Sequence, residues 1–287
     1  MMSVSTTVTE PDKTTTDSAA PATAPQPRRS RARWRPRLHH FVQLCVIVVL
    51  LASWELSAGR LIDDLLTSRP SEVFPTFWSW VVSGELLYHA SSTFKDAFLG
   101  LLAGGGLGLV VGCVLGQSQW LARVCEPFIT AFYTMPKHAL IPLFIMWVGI
   151  GSELRVLTAA AIVFFLVFYN TFFGIRDVSK NLVDSVRVMG GTAFDVLFRV
   201  MLPSALIWVF AALKLAVPQA IVGVVVAEML AGDRGLGFLV AMHAGTFNSD
   251  GTFAAIFALL IVGFLVDRLM NLVTRRALLW KNNDTTA

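Results

Sequence analysis

The chain has 287 residues, of which 55% are hydrophobic and only 15% charged, with a formal net charge of +4. A soluble domain carries roughly 25% charged residues, so an ordinary water-soluble fold is excluded. Several stretches reach the roughly 20 apolar residues needed to cross about 30 Å of hydrocarbon, and the composition therefore points to an all-α membrane protein.

Residues 1–27 are rich in Thr, Ala and Pro and hold nothing apolar enough to fold. Arg28, Arg29, Arg31, Arg33, Arg35 and Arg37 follow. Such a run suits a nucleic-acid arm or a cytoplasmic anchor for the helix behind it. The apolar stretch begins at once, which favours the anchor. Residues 1–37 are thus read as a disordered, basic, cytoplasmic extension. A cleaved signal peptide fits less well, because the run 38–58 exceeds a signal core of about 7–15 residues.

Six apolar segments follow, at 38–58, 94–116, 127–150, 154–175, 204–230 and 253–273. They give a six-helix domain over 38–281 and a short tail at 282–287. Lys and Arg in the connections set the orientation. With the N-terminus inside, Arg123, Arg176, Lys180, Arg187, Arg199, Arg275, Arg276 and Lys281 also fall inside. Only Arg60, Arg69, Arg155 and Arg234 fall outside. Both ends are then cytoplasmic, as an even number of spans requires.

Residues 59–93 are too polar to cross. Within them Val73, Phe74, Phe77, Trp78, Val81 and Val82 recur at helical spacing. This predicts a short amphipathic helix at the outer interface, with Trp78 and Trp80 near the headgroups. The second segment places glycine at every fourth position, Gly104, Gly108, Gly112 and Gly116, so that a neighbouring backbone can approach one face closely. A nucleotide loop is excluded, since GxGxxG spacing fails at Val111 and no Lys-Ser/Thr follows. Cys45, Cys113 and Cys125 form no CxxC or Cys/His cluster and read as small apolar residues, not as metal ligands or a disulfide.

Pro136 and Pro142 fall inside the third segment and Pro218 inside the fifth. Each removes a backbone donor and bends its helix. Such bends serve a water-filled cavity or simply the packing of a bundle. Lys214 lies about 16 Å past Pro203 along a helix, near mid-membrane. A charge there costs about 2.5–3.5 kcal/mol and faces the bundle interior or a cavity, so Lys214 is expected to point inward. An internal ion pair and a lining for an anion both fit it. Together with Lys137, His138, Gln219 and Glu228 it forms the candidate translocation path. Asp267 and Arg268 add charge to the sixth segment. No Ser/His/Asp set, HExxH or paired carboxylates are present, so no residue is assigned a catalytic or metal-binding role and the chain is not read as an enzyme.

The loop 176–203 is the most informative segment. It is too long for a turn and too charged to insert. Val186, Met189, Ala193, Leu197 and Val200 form an apolar stripe at helical period. Asp195 and Arg199 have i,i+4 spacing. Gly190 and Gly191 break the middle, and Leu202-Pro203 ends the element. The pattern predicts a helix–glycine–helix unit across the cytoplasmic face, packed on its own bundle or docking a partner.

Here the residues resemble the integral-membrane subunits of bacterial ABC importers, whose cytoplasmic loop follows EAA-x3-G-x9-I-x-L-P. Asp184, Ser185 and Val186 stand at the triplet, with Gly190, Val200, Leu202 and Pro203 at the matching spacings. The runs ALIPLF at 139–144, WVGIG at 147–151, AALKL at 211–215, VAEM at 226–229 and GLG at 235–237, and the ending Arg275, Arg276 and Trp280, look like the nitrate/sulfonate/taurine-type permeases. The likeness covers roughly residues 86 to 281.

The resemblance implies a type I importer permease in a bacterial cell membrane, working as a permease homodimer. It implies that Asp184, Ser185, Val186, Gly190, Gly191, Val200, Leu202 and Pro203 form a coupling helix gripped by cytoplasmic ABC ATPase subunits. ATP would be bound and hydrolysed by those partners, since this chain has no Walker A motif and needs no cofactor of its own. A soluble extracytoplasmic solute-binding protein would deliver substrate to outer loops such as 232–252. Small sulfonates or taurine are the first expectation, with nitrate, bicarbonate or a thiamine-precursor pyrimidine as alternatives. A secondary transporter of small anions would instead predict an inverted internal repeat, and none is seen between the halves.

Overall fold

The structure is a computed structural model that describes residues 36–60, 63 and 67–277, with side chains over 41–60, 63, 67–118 and 120–272. The extension at 1–35, the side chains of Arg37, Arg275 and Arg276, and Trp280, Lys281 and the tail lie outside the described residues. The chain divides into two units, Met1–Ile47 and Val48–Ala287. The first contains the opening turns of α1 (Pro36–Ser57). The second holds everything that follows.

Pro70 at its first turn and Gly84 in the left-handed conformation after its last delimit α2 (Pro70–Ser83). The long α3 (Glu85–Gln117) follows directly. Then come α4 (Gln119–Thr134), a 3₁₀ turn (Lys137–Leu140), α5 (Ile141–Val148), and α6 (Ser152–Arg176). A short helical unit, α7 (Lys180–Val188) and α8 (Ala193–Val196), leads through a π-helical stretch (Leu197–Met201) into α9 (Leu202–Ala231). The chain ends in α10 (Leu236–Gly245) and α11 (Ser249–Ala277).

Among the described residues, four helical stretches are long and apolar enough to span a membrane: Glu85–Gln117, Ser152–Arg176, Ala193–Gly245 and Ser249–Leu272. A fifth is present if Trp120–Thr134 and Lys137–Val148, which meet at 84°, count as one broken span. The expected segment 127–150 is therefore not a single bent helix. Pro136 sits at the break, while Pro142 starts α5, where its missing N–H costs nothing. Pro218 lies inside α9, which stays helical through it.

The core is organised around α6. Helices α3 and α6 run parallel with a fixed register, so that a residue on α3 meets the one 59 positions later on α6. A Cβ added at Gly100 would lie 2.5 Å from Ala159 Cβ, one at Gly108 3.3 Å from Val167 Cβ, one at Gly112 2.8 Å from Thr171 Cβ, and one at Gly116 3.1 Å from Ile175 Cβ. The glycine face thus carries close packing along roughly 24 Å of helix. α9 packs antiparallel against α6 and also meets α3: Gly223 faces Ile162 and Ala159, and Gly174 faces Trp208. Small buried residues (Ala97, Ala159, Ala212, Ala216, Ala220) fill the seam between the three helices.

The α2 helix differs from expectation in one respect. Trp78 is exposed, as anticipated for an interfacial residue, but Trp80 is buried and stacks on His243 with ring centroids 5.2 Å apart. Val73, Phe77 and Trp80 join Leu236, Leu239 and Ala254 in one apolar cluster. One face of α2 is therefore core, and only the face with Phe74, Trp78 and Val82 is open.

Candidate functional site

Two regions at opposite ends of the helices carry the polar chemistry. The first is a buried cluster where the N-termini of α3 and α6 meet the C-terminus of α9. Arg155 is 0% exposed, and its Nε donates to Asp96 Oδ2 at 2.6 Å, with Asp96 itself 2% exposed. Arg155 Nη1 donates to Asp233 Oδ1 at 2.8 Å, and the Ser152 hydroxyl donates to Asp96 Oδ1 at 2.5 Å. A guanidinium taken out of water survives only when its charge is matched in this way.

Beside it, Glu228 accepts from the Thr93 hydroxyl (2.8 Å) and from the Gly237 N–H (2.9 Å). The Leu236 N–H donates to Thr93 Oγ1 and the Gly235 N–H to His89 Nδ1, each at 3.0 Å. Three side chains thus satisfy the orphan amides at the start of α10, and a carboxylate sits at the positive end of that helix. Gly235 has φ +110°, and a Cβ there would run into the Glu228 carboxylate.

Glu228, expected along an open path, is instead 1% exposed and fully engaged in this cluster. Sequence reading missed Asp96, Thr93, Ser152 and Asp233, and counted Arg155 only as a loop charge. Asp96 and Arg155 are 59 apart, one turn N-terminal to Gly100 and Ala159 in the register that the packing of α3 on α6 sets.

The remaining path candidates separate. Lys137 Nζ bonds the Tyr133 carbonyl and lies over the Tyr133 and Phe165 rings, at 5.1 and 5.6 Å. His138 is half-buried, and its Nε2 has no partner among the described residues. Lys214 does not point into its own bundle. It is exposed on α9, along with Ala211, Leu215, Pro218, Gln219 and Val222, at the spacings of one helix face. The reason lies on the opposite face, where Ala212, Ala216 and Ala220 pack against α6 with no space for a long side chain. Asp267 accepts from Asn271, and Arg268 stacks over Phe264 at 5.0 Å.

The second region is the unit over 180–203. α7 ends at Val188, Gly190 takes φ +83°, and Thr192 opens α8 with a capping box in which its hydroxyl and the Asp195 carboxylate satisfy each other's backbone amides. Asp195 also pairs with Arg199 at 3.3 Å. A helix–glycine–helix unit is therefore present, but its predicted stripe is not continuous. Val183 and Val196 are buried, and Val186, Leu197 and Val200 are half-buried. Met189 and Ala193, which flank the Gly190-Gly191 turn, face out. Val188 and Met189 are 88% and 87% exposed, with Leu182 and Phe194 open beside them. Asp184 and Ser185 lie exposed on α7, and Leu202 and Pro203 begin α9.

Long apolar helices packed parallel and antiparallel, with a buried ion cluster at one end and a charged helical unit at the other, make a multi-span membrane protein. The chain belongs to the family of binding-protein-dependent transport system inner membrane components, matched over residues 104–278. It is 32% identical over 266 residues to a permease of Bacillus subtilis (strain 168) named for the transport of aliphatic sulfonates, covering 92% of this chain and 94% of that one. A permease of Escherichia coli (strain K12) with the same name is 33% identical over 236 residues, covering 81% and 89%. The fold matches a chain of an amino acid ABC transporter with TM-score 0.56 and 19% identity, covering 70% of this chain and 98% of that one. The protein is thus an ABC importer permease, with the type I fold.

Proposed function

We propose that this chain is the membrane-spanning subunit of an importer for a small organic anion such as an aliphatic sulfonate or taurine, driven by separate ATPase subunits. The observation that carries this reading is the α7–Gly190–α8 unit, which turns Val188, Met189 and Phe194 away from its own bundle. Exposed apolar side chains clustered at a glycine turn are what a partner's groove would take up. In this reading Asp184, Ser185, Val186, Gly190, Gly191, Val200, Leu202 and Pro203 form the coupling unit, on the cytosolic side with both termini. A solute-binding protein docks at the opposite end, near 232–252, and no ATP or other cofactor binds this chain. Two permease copies enclose the passage.

Gly190→Trp tests the coupling. A tryptophan at φ +83° forces the turn to rearrange although space is free around it. Uptake in cells is expected to fall at least about tenfold, the arithmetic of some 1.4 kcal/mol, while the protein stays in the membrane. Normal uptake by this variant would remove the coupling role.

The anion preference is supported by Lys214. It stands exposed on a helix face of Pro218, Gln219 and Val222 with no ion pair among the described residues. A lysine at membrane depth on an open face is sustained by water or by a passing anion. Lys214→Glu is expected to cut sulfonate uptake at least about tenfold, with Lys214→Arg retaining most of it. Equal uptake by the Glu variant and the unmodified protein would take Lys214 off the path. The wording of two relatives' names, both given for aliphatic sulfonates, supports the same substrate class.

A further inference from the structure

At the end of the bundle that carries α7, a cleft of about 760 Å³ opens between α3, α4, α6 and α7. Its volume falls within the roughly 300–1,000 Å³ of small-ligand sites. Arg123 of α4, Arg176 from the last turn of α6, and Lys180 and Arg187 from the two ends of α7 all line it. Asp184 is the one acidic residue among the lining side chains. Arg176 approaches Glu126 only at 3.9 Å and otherwise lies over the Phe172 ring. Lys180 and Arg187 have no ion pair among the described residues. The first turn of α7, which begins at Lys180, has no side-chain cap.

A general excess of basic residues at one membrane face would spread them over that face. Here three separate helices bring Arg123, Arg176, Lys180 and Arg187 to one concavity whose lining holds a single acidic side chain, so the cleft carries a net positive charge. The uncapped start of the nine-residue α7 adds its dipole with the same sign. The geometry assigns this cleft to a phosphate-bearing anion, supplied as the headgroup of an anionic phospholipid or as free phosphate. The cleft borders the coupling unit and shares Asp184 with it, but Val188 and Met189 point outward, and Arg123 and Arg176 reach the cleft from α4 and α6. Its failure would leave the transport reading untouched.

The test is native mass spectrometry of the full-length chain in detergent, titrated with phosphatidylglycerol or with phosphatidylcholine of the same acyl chains. Inorganic phosphate is added as competitor. The unmodified protein is expected to bind phosphatidylglycerol more tightly than phosphatidylcholine. At about 1 kcal/mol for each basic residue near a membrane surface, Lys180→Gln/Arg187→Gln is expected to weaken phosphatidylglycerol about thirtyfold and leave phosphatidylcholine unchanged. A second variant, Arg123→Gln, reads the same cleft from α4 and is expected to weaken phosphatidylglycerol about fivefold. If millimolar phosphate displaces the lipid from the unmodified protein, free phosphate is the ligand; if it does not, the headgroup is recognised with its lipid. Equal retention of both lipids, or the same affinities in the unmodified protein and both variants, overturns the assignment.

Discussion

Asp96→Ala lowers the stability of the protein in detergent by about 3–5 kcal/mol, the loss measured when one partner of a buried ion pair is removed. Asp96 holds two ligands at once, the Arg155 guanidinium at 2.6 Å and the Ser152 hydroxyl at 2.5 Å. Without it, Arg155 keeps only Asp233, whose side chain is 63% exposed and screened by water. Arg155→Met alone strands Asp96 and is expected to cost a similar amount. The double variant Asp96→Ala/Arg155→Met removes both charges, so its loss is expected to be well below the sum of the two. Asp233→Asn, at the wet end of the same chain of contacts, is expected to cost at most about 1 kcal/mol. Denaturant unfolding of the four variants measures the cycle. Strict additivity of the first two would show that Asp96 and Arg155 do not depend on each other.

The cluster joins four elements. Asp96 and Thr93 belong to α3, Arg155 to α6, Glu228 to α9, and the amides that Glu228 and Thr93 satisfy belong to the start of α10. Four elements are fixed at the end opposite α7. The seam of α3, α6 and α9 is therefore anchored at the end away from α7. Tightly packed interfaces of this kind move between discrete arrangements and do not deform gradually.

Much of this organisation is legible in the residues. The glycine repeat foretold where a neighbour would approach, and the Gly190-Gly191 break with Leu202-Pro203 foretold a helical unit between two spans. What was not legible is long-range pairing. Nothing local distinguishes Asp96 from a charge at a helix entrance, or Arg155 from a loop residue. Their meeting depends on the parallel register of α3 and α6, fixed by glycines one to five turns away. Direction was equally hidden. The depth of Lys214 could be counted along the helix, but which way it pointed was decided by alanines on the other face of α9 that leave no space toward α6. The third span failed for a different reason. A proline removes a donor wherever it stands, yet its effect depends on position: Pro142 starts a helix and Pro136 ends the preceding structure.

The second large effect lies in the seam itself. Gly104→Leu places a side chain against the Ala160 backbone, whose Cα is 2.8 Å from the added Cβ and whose carbonyl oxygen is nearer still. The obstacle is main chain, so no rotamer change on α6 relieves it, and the helices must separate. Overpacking of this kind costs about 1–3 kcal/mol where side chains can adjust and more where they cannot. Separation would also spoil the contacts at Gly100 and Gly108 on either side. The expected result is a large loss of folded protein from the membrane and of resistance to denaturant. Gly106→Leu is the matched control: the same substitution on the same helix, two residues away, with nothing within 4 Å of the new Cβ. That change only replaces a weak helix former by a strong one, worth up to about 1 kcal/mol in favour of the helix. If the seam is held by backbone proximity, the two variants must diverge although their sequences differ in hydrophobicity not at all. If Gly104→Leu is as stable and as abundant as Gly106→Leu, the close approach of α3 to α6 is not what holds the bundle together.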